Sequence, residues 1–396
     1  MAVLLATVLS LATIPGLALF YGRVVGAPVR IAALSLSGLV VAAVVWVAYG
    51  RGVVFNVPLV DGLVGNPVGR SEPSFGLDFF VTSAFGVASA FVAVSVVASA
   101  VAGRMRIRRW LLFAALWISV VFLPVSYWIL NEDDGWAAGM LVADLGGGAF
   151  VHIVAGAAAL ALLVVLGRRR PGVRQSGVQH PHHLWAGASV VGALLLWLGW
   201  LGLNVAAEGV VDDVTGLIVL NTLVAPLAGV IGWVLAEALS TGRIARSAPA
   251  EGLVAGLVAI APACGSFAPG WAAALGLSSG ALCAFTVLAG RRRGHAVRFV
   301  VPGIHLVAAT VGMLSIGVFG DTVGFIYNGN PAQSIAQVGV VVTVATYSFA
   351  VTALLGWLLV GRVRSPRPIE GAVVVALRDA ERVASGPSGK KSAGPM

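Results

Sequence analysis

From Asp144 onward, the next formally charged residue is Arg168. A helix advances about 1.5 Å per residue, so this uncharged run can cross the ~30 Å hydrocarbon core of a bilayer. Eleven such apolar segments follow one another, at approximately 2–22, 31–50, 79–103, 110–130, 145–167, 184–207, 214–240, 250–268, 271–290, 299–320 and 332–361. Lipid offers the backbone no hydrogen bonds, and a helix satisfies its own peptide groups. The pattern therefore predicts an all-α integral membrane protein with eleven transmembrane helices. Only 10% of the residues are charged, against about a quarter in soluble domains, so little chain remains for a separate soluble domain. The 51 glycines suit helices packed through small side chains. Most segments end at charges, but two boundaries rest on turn chemistry. Pro262, Gly265, Pro269 and Gly270 divide the uncharged run 252–290, and Asn328-Gly329-Asn330-Pro331 precedes a long, tilted or protruding last span.

Sorting the charges by loop sets the orientation. With the amino terminus outside, 23 of the 25 Lys and Arg fall on inward segments, and only Arg51 and Arg70 fall on outward ones. The outward loops hold most of the acids, among them Glu132, Asp133, Asp134, Asp212, Asp213 and Asp321. The positive-inside rule then predicts amino terminus out, carboxyl terminus in, and an odd number of spans. The net charge of +9 is thus topological, and no nucleic-acid partner is expected. No basic region precedes the first apolar run, so that run reads as a retained span rather than a cleaved signal. The chain divides into a membrane domain, 1–361, and a cytoplasmic tail, 362–396. In the tail, Pro366 and Pro368 stop the helix, 370–384 could form a short amphipathic helix, and the end is expected to be disordered.

Two histidines lie inside spans. His152 is about eight residues into segment 5 and His305 about seven into segment 10. An ionisable side chain in a span normally faces a cavity or another helix. Segments 1–5 and 6–10 are two groups of five, and an odd number per group inverts the second relative to the first. Sites in such inverted repeats lie near mid-membrane, between the halves, where the two imidazoles can meet. A neutral pair can share one hydrogen, one ring donating while the other accepts, and desolvation favours the neutral rings. That arrangement suits a small polar molecule such as ammonia, with or without a separately relayed proton. The plainer alternative is that each ring bonds a neighbouring backbone or hydroxyl group. Asp144, eight residues before His152, is expected about 12 Å away along the helix, where it can cap the helix start or supply a negative field.

Several stretches resemble one family in register. DLGGGAFVHI (Asp144–Ile153) resembles the motif DFAGGTVVHI of the ammonium transporter (Amt/Mep/Rh) superfamily. IPGLALFYG (Ile14–Gly22), LGWLGLN (Leu198–Asn204), NTLVAPLAGVIGWVLAEAL (Asn221–Leu239), GLVAGLVAIAPACG (Gly252–Gly265) and GIHLVAATVG (Gly303–Gly312) resemble further stretches of it, in order along segments 1 to 11. The chain looks like a divergent bacterial-type member. The resemblance implies a plasma-membrane homotrimer with a pore through each subunit, serving nitrogen uptake. His152 and His305 fall on its twin-histidine positions and Asp144 on the structural acid near the recruitment site. In that family ammonium is taken up from outside and deprotonated, ammonia passes along the histidines, and a PII-type signal protein can block the cytoplasmic face. No cofactor or metal is implied.

The departures from the family lie at the entrance. The family's cation cage uses a tryptophan, a serine and a phenylalanine. Its tryptophan position falls on or near Leu130, with Trp128 and Trp136 as substitutes, and its serine position on Ala207. One gating phenylalanine becomes Leu203, and the other position falls on Ser89, with Phe85 and Phe91 nearby. An aromatic face holds a cation by roughly 0.5–2 kcal/mol, which leucine does not supply. Val300 replaces an aspartate usual before the second histidine motif, and the tail keeps Glu370-Gly371 but loses most of the acidic pattern, which weakens the case for PII control.

Other features read as structural. Cys264 and Cys283 lie in apolar stretches as inert thiols. Gln179-His180-Pro181-His182-His183 reads as a solvated loop or helix cap rather than a metal cluster, and Glu237 as a partner for a basic loop residue such as Arg243. No phosphate-binding loop or nucleophile with its base is present, so an enzyme is not expected. The competing functions are an Rh-like channel for neutral ammonia or carbon dioxide, which the altered entrance favours, and a non-conducting ammonium sensor.

Overall fold

The computed structural model describes residues 2–25, 28–68, 77–102, 104–167, 182–292 and 296–360. The tail and the Gln179–Pro181 stretch lie outside the described residues. Among the described residues, ten bilayer-length apolar helices and one shorter one follow in order: α1 (Val3–Gly22), α2 (Pro28–Phe55), α3 (Phe79–Val101), α4 (Ile107–Leu130), α5 (Gly148–Leu166), α6 (Gly187–Glu208), α7 (Asp213–Thr241), α8 (Ala248–Ala263), α9 (Pro269–Arg292), α10 (Val300–Phe319) and α11 (Ala332–Leu359). Ten are long and apolar enough to cross a membrane; α8 is shorter. Between α2 and α3 the chain adds a small antiparallel hairpin, β1 (Pro58–Val60) with β2 (Val64–Gly65), in which Pro58 faces Gly65 and Val60 faces Val64.

The two turn-based boundaries are where turn chemistry put them. The stretch around Pro262 ends α8, and α9 begins at Pro269. The Asn221 amide of α7 donates to the carbonyls of Cys264 (2.9 Å) and Phe267 (2.7 Å), satisfying groups that a helix end leaves open. Helix α7 opens on a capping box, in which the Asp212 side chain accepts from the Val214 N–H at 2.7 Å and Thr215 Oγ1 accepts from the Asp212 N–H at 3.0 Å. It closes on Gly242 at φ +68°, a conformation glycine adopts without steric cost.

Packing places α1 against α6, α5 against α10 and α11, and α7 against α8 and α9. Small side chains set the closest of these approaches. A Cβ on Gly276 would lie 2.0 Å from the Ala225 carbonyl oxygen, so the α7–α9 contact requires glycine there. Among the described residues, three helices contain π-helical turns, at Trp46–Gly50, Ile118–Phe122 and Gly148–Ile153. Such turns shift the hydrogen-bond register and free carbonyls. Tyr347 of α11 donates to the Val120 carbonyl of the second π segment at 2.6 Å, and the Ser119 hydroxyl of that same segment meets Tyr49 of the first at 2.5 Å.

Glu237 is paired differently from the sequence expectation. Its carboxylate meets Arg291 at the end of α9 (3.4 Å), not Arg243. The same guanidinium meets Glu251 of α8 at 3.2 Å. Arg291 is brought there because α7, α8 and α9 converge at that end. Arg243 follows the terminating glycine, and its backbone bonds Thr241 instead.

Candidate functional site

The site starts in the loop before α5. Gly147 stands at φ +90°, a left-handed conformation that disfavours any side chain. It lets the chain turn abruptly into the π-helical Gly148–Ile153. The buried Asp144 carboxylate accepts the backbone N–H groups of Gly148, Ala149 (2.8 Å) and Phe150 (3.3 Å), three donors that a helix start leaves open. Burial pushes this carboxyl up to about 6, against the pull of those N–H groups. The expected 12 Å helical offset from His152 is corrected. Residues 144–147 are not helical, and Asp144 caps the turn that carries the histidine.

The π turn bonds the His152 N–H to the Gly147 carbonyl at 3.0 Å. The His152 ring stacks on Trp200 of α6, with centroids 4.8 Å apart and planes at 27°. It lies 5.3 Å from the His305 ring of α10. Trp200 also stacks over His305 at 6.4 Å, and Tyr21 of α1 closes on His305 at 5.9 Å. All four rings are fully buried. None of the four imidazole nitrogens has a hydrogen-bond partner among the described residues, nor does Trp200 Nε1 or the Tyr21 hydroxyl. The plainer alternative, in which each ring bonds a neighbouring backbone or hydroxyl group, is therefore not what the structure shows. A buried polar group without a partner costs about 1–3 kcal/mol, so a cluster of six such atoms is suited to receiving a polar guest.

Close approach of α5 to α10 sets the ring spacing. Gly156 lies one turn beyond His152, and a Cβ there would fall 2.7 Å from the Leu306 backbone nitrogen, next to His305. Neither backbone can yield cheaply, and overpacking of this kind costs about 1–3 kcal/mol. Gly156→Ala is expected to lower the melting temperature in detergent and to reduce transport by spreading the ring pair. Wild-type values for both would contradict this contact.

The remaining sequence candidates fall in three places. Phe85 and the buried Phe150 meet edge-on at 6.2 Å, two residues before His152 on the Asp144 side. Ser89 is one turn further along α3, buried and with no partner for its hydroxyl, and Phe91 is in the core. Leu203 is buried, whereas Ala207 and Leu130 are half-buried. Trp128 packs with Trp136 (5.8 Å) and Tyr347 (4.9 Å) and donates its Nε1–H to the Leu63 carbonyl at 2.8 Å. That arrangement joins it to the hairpin and α11 rather than to the Phe85–Phe150 pair. Val300 is buried at the start of α10. Sequence reasoning assigned no role to Trp200 or Tyr21, although both stand within stretches it singled out, LGWLGLN and IPGLALFYG. An aromatic residue in each stretch was the available signal.

The ammonium transporter family model matches residues 1–363. An ammonium transporter of Mycobacterium bovis is 34% identical over 400 residues, covering 90% of this chain and 83% of its own length. The crystal structure of Candida albicans Mep2 is similar with a TM-score of 0.79 at 25% identity, covering 89% of this chain and 82% of that one. A chain described as a sensor Amt protein has a TM-score of 0.80 at 21% identity, covering 90% and 92%, and shares the fold. With ten bilayer-length apolar helices and a match that runs through its last span, the chain belongs to the ammonium transporter family, whose members are multi-pass plasma-membrane proteins.

Proposed function

We propose that the protein carries ammonium or ammonia across the membrane through a narrow apolar pore lined by His152 and His305. The observation that carries this reading is the buried ring pair, 5.3 Å apart, with four unpartnered nitrogens. A small guest able to donate and accept satisfies such a pair. Phe85 and Phe150 form the constriction on the Asp144 side, with Ser89, Leu203, Ala207 and Leu130 around the approach. Asp144 holds the π turn and adds a negative field.

The wider reading follows the same logic. The membrane domain, 1–361, spans eleven times, counting α8, with its amino terminus outside and its carboxyl terminus inside. Helices 1–5 and 6–10 form the inverted repeat, and the contacts of α1 with α6 and of α5 with α10 support that pairing. The assembly is a homotrimer, as family members are expected to be. The tail, 362–396, is cytoplasmic, and its weak acidic pattern argues against PII-type control. A second reading, a conduit for neutral ammonia or carbon dioxide, is favoured by one observation. Leu203 and Ala207 provide no aromatic face and no hydroxyl for a cation.

An ammonium jump on liposomes containing the protein separates the two. Saturating current with a change of interior pH is the expected result for ammonium-linked transport. Interior alkalinisation without current would establish the gas conduit. Liposomes that respond like empty ones would overturn both.

A further inference from the structure

Two oxygen acceptors on one face of α6 are held ready and unused. The Glu208 carboxylate receives the Thr215 hydroxyl on Oε2 at 2.6 Å. That hydroxyl already accepts from the Asp212 N–H, so its single proton belongs to Glu208. Glu208 Oε1 is buried and has no hydrogen-bond partner among the described residues, and the Asp212 carboxylate stands beside the same group. Four residues earlier, the fully buried Asn204 is also held by a threonine of α7, here with the α6 side chain as donor. Its Nδ2 donates to Thr222 Oγ1 at 3.0 Å, and the Thr222 hydroxyl is committed to the Ile218 carbonyl at 2.7 Å. Thr222 can therefore only accept from Asn204. This orients the amide and leaves Oδ1 as a buried acceptor with no partner. The two orienting threonines stand seven residues apart on α7, about two turns, as Asn204 and Glu208 stand about one turn apart on α6.

Both acceptors belong to the Asp144 end of the site. A Cβ on Gly146, in the loop that starts the His152 turn, would lie 2.5 Å from Asn204 Oδ1. A Cβ on Gly265 would lie 2.9 Å from Leu145 and 3.4 Å from Val214, which stands beside the Asp212 cap. Ala207 is the next residue to Glu208, and Leu203 the next to Asn204. The polar lane thus runs alongside the two positions where aromatic and hydroxyl groups are missing. Ammonium is a cation with donors only, and it is held by a carboxylate and an amide carbonyl through charge-assisted hydrogen bonds.

We propose that Glu208 and Asn204 form a two-step ammonium-binding lane at the pore entrance, the carboxylate capturing the cation and the amide carbonyl receiving it next. The lane rests on the transport reading above and supplies the cation recruitment that the altered entrance residues do not. A hydrogen bond to a charged group contributes roughly 1.5–3 kcal/mol, which is about tenfold or more in affinity.

The test titrates the purified full-length protein in detergent with ammonium chloride, and with potassium chloride as reference, reading the ammonium-specific rise in melting temperature. Wild type is expected to give a saturable ammonium-specific rise. Glu208→Gln, nearly isosteric at the helix end, is expected to raise the half-saturating ammonium concentration about tenfold, and Asn204→Ala to raise it as well. Asp213→Asn, which removes an equal charge from an exposed neighbour, is expected to leave it within twofold. No ammonium-specific rise in wild type overturns the lane. So does a Glu208→Gln value within twofold of wild type, or an Asp213→Asn shift as large as that of Glu208→Gln. The same proteins in liposomes keep the two readings distinguishable. Flux with an unaltered Glu208→Gln half-saturation removes the lane and leaves transport standing. Binding sensitive to Glu208→Gln without flux removes transport and leaves the lane.

Discussion

Replacing His152 by alanine is expected to lower ammonium flux on the order of a hundredfold. The substitution removes two of the four unpartnered imidazole nitrogens at the buried pair and takes away the ring that contacts both Trp200 and His305. Two lost hydrogen bonds to a desolvated polar guest, at roughly 1.5 kcal/mol each, raise the barrier by about 3 kcal/mol, and each 1.4 kcal/mol is about tenfold in rate. The vacated space also relaxes the shape selection that the ring supplies, so the preference for ammonium over potassium is expected to fall with the flux. Current and interior pH after an ammonium jump, repeated with potassium, read both quantities. Unchanged flux together with unchanged preference would remove His152 from the mechanism. Loss of flux in a protein that no longer melts cooperatively would say nothing about the ring itself, so the melting curve is measured alongside. His152→Gln, which keeps a donor and an acceptor, is the companion variant, expected to fall between alanine and wild type.

The second large effect is on stability. Arg291→Met is expected to destabilise the protein by about 3–5 kcal/mol, because it breaks a buried ion pair and leaves the Glu237 carboxylate without its guanidinium. Here one guanidinium, 27% exposed, serves two carboxylates, and the Glu237 and Glu251 side chains are only 5% and 2% exposed. These residues tie together the ends of α7, α8 and α9, the group that holds the short α8 in place. A lowered melting temperature is the readout. Adding Glu237→Gln to Arg291→Met is expected to recover part of the loss, since the side chain left behind is then neutral. A double-mutant cycle separates that coupling from lost packing by the arginine stem. A melting temperature within a few degrees of wild type for Arg291→Met would contradict the account of this cluster.

Much of the fold was legible because a bilayer makes composition decisive. Charge-free runs mark ten helices of spanning length, and turn chemistry located the breaks at Pro262–Gly270 and Asn328–Pro331. Depth along a span is a one-dimensional quantity, so the matching positions of His152 and His305 could be read from the chain. What could not be read was anything decided by which helices converge. Glu237 has a basic residue six positions later at Arg243, yet its partner is Arg291, 54 positions away. Trp200 and Tyr21 sit in ordinary apolar surroundings by sequence, and only the crossing of α1, α6 and α10 brings them onto the histidines. The helical offset expected between Asp144 and His152 fails because residues 144–147 are a loop, and Gly147 enters the turn at φ +90°. The π-helical turn that follows has no simple sequence signature, since its register shift is stabilised by the Asp144 carboxylate and by contacts from other helices.

The most direct measurement of the central claim is a titration of imidazole ¹⁵N resonances in the histidine-labelled protein, with the His152→Ala variant to assign the buried pair. If ammonium or ammonia hydrogen-bonds to the paired rings, the nitrogen resonances of His152 and His305 shift saturably as ammonium chloride is added and stay in place with potassium chloride. Resonances that ignore ammonium over the concentration range in which the protein transports it would contradict the account, and the route across the membrane would then lie elsewhere.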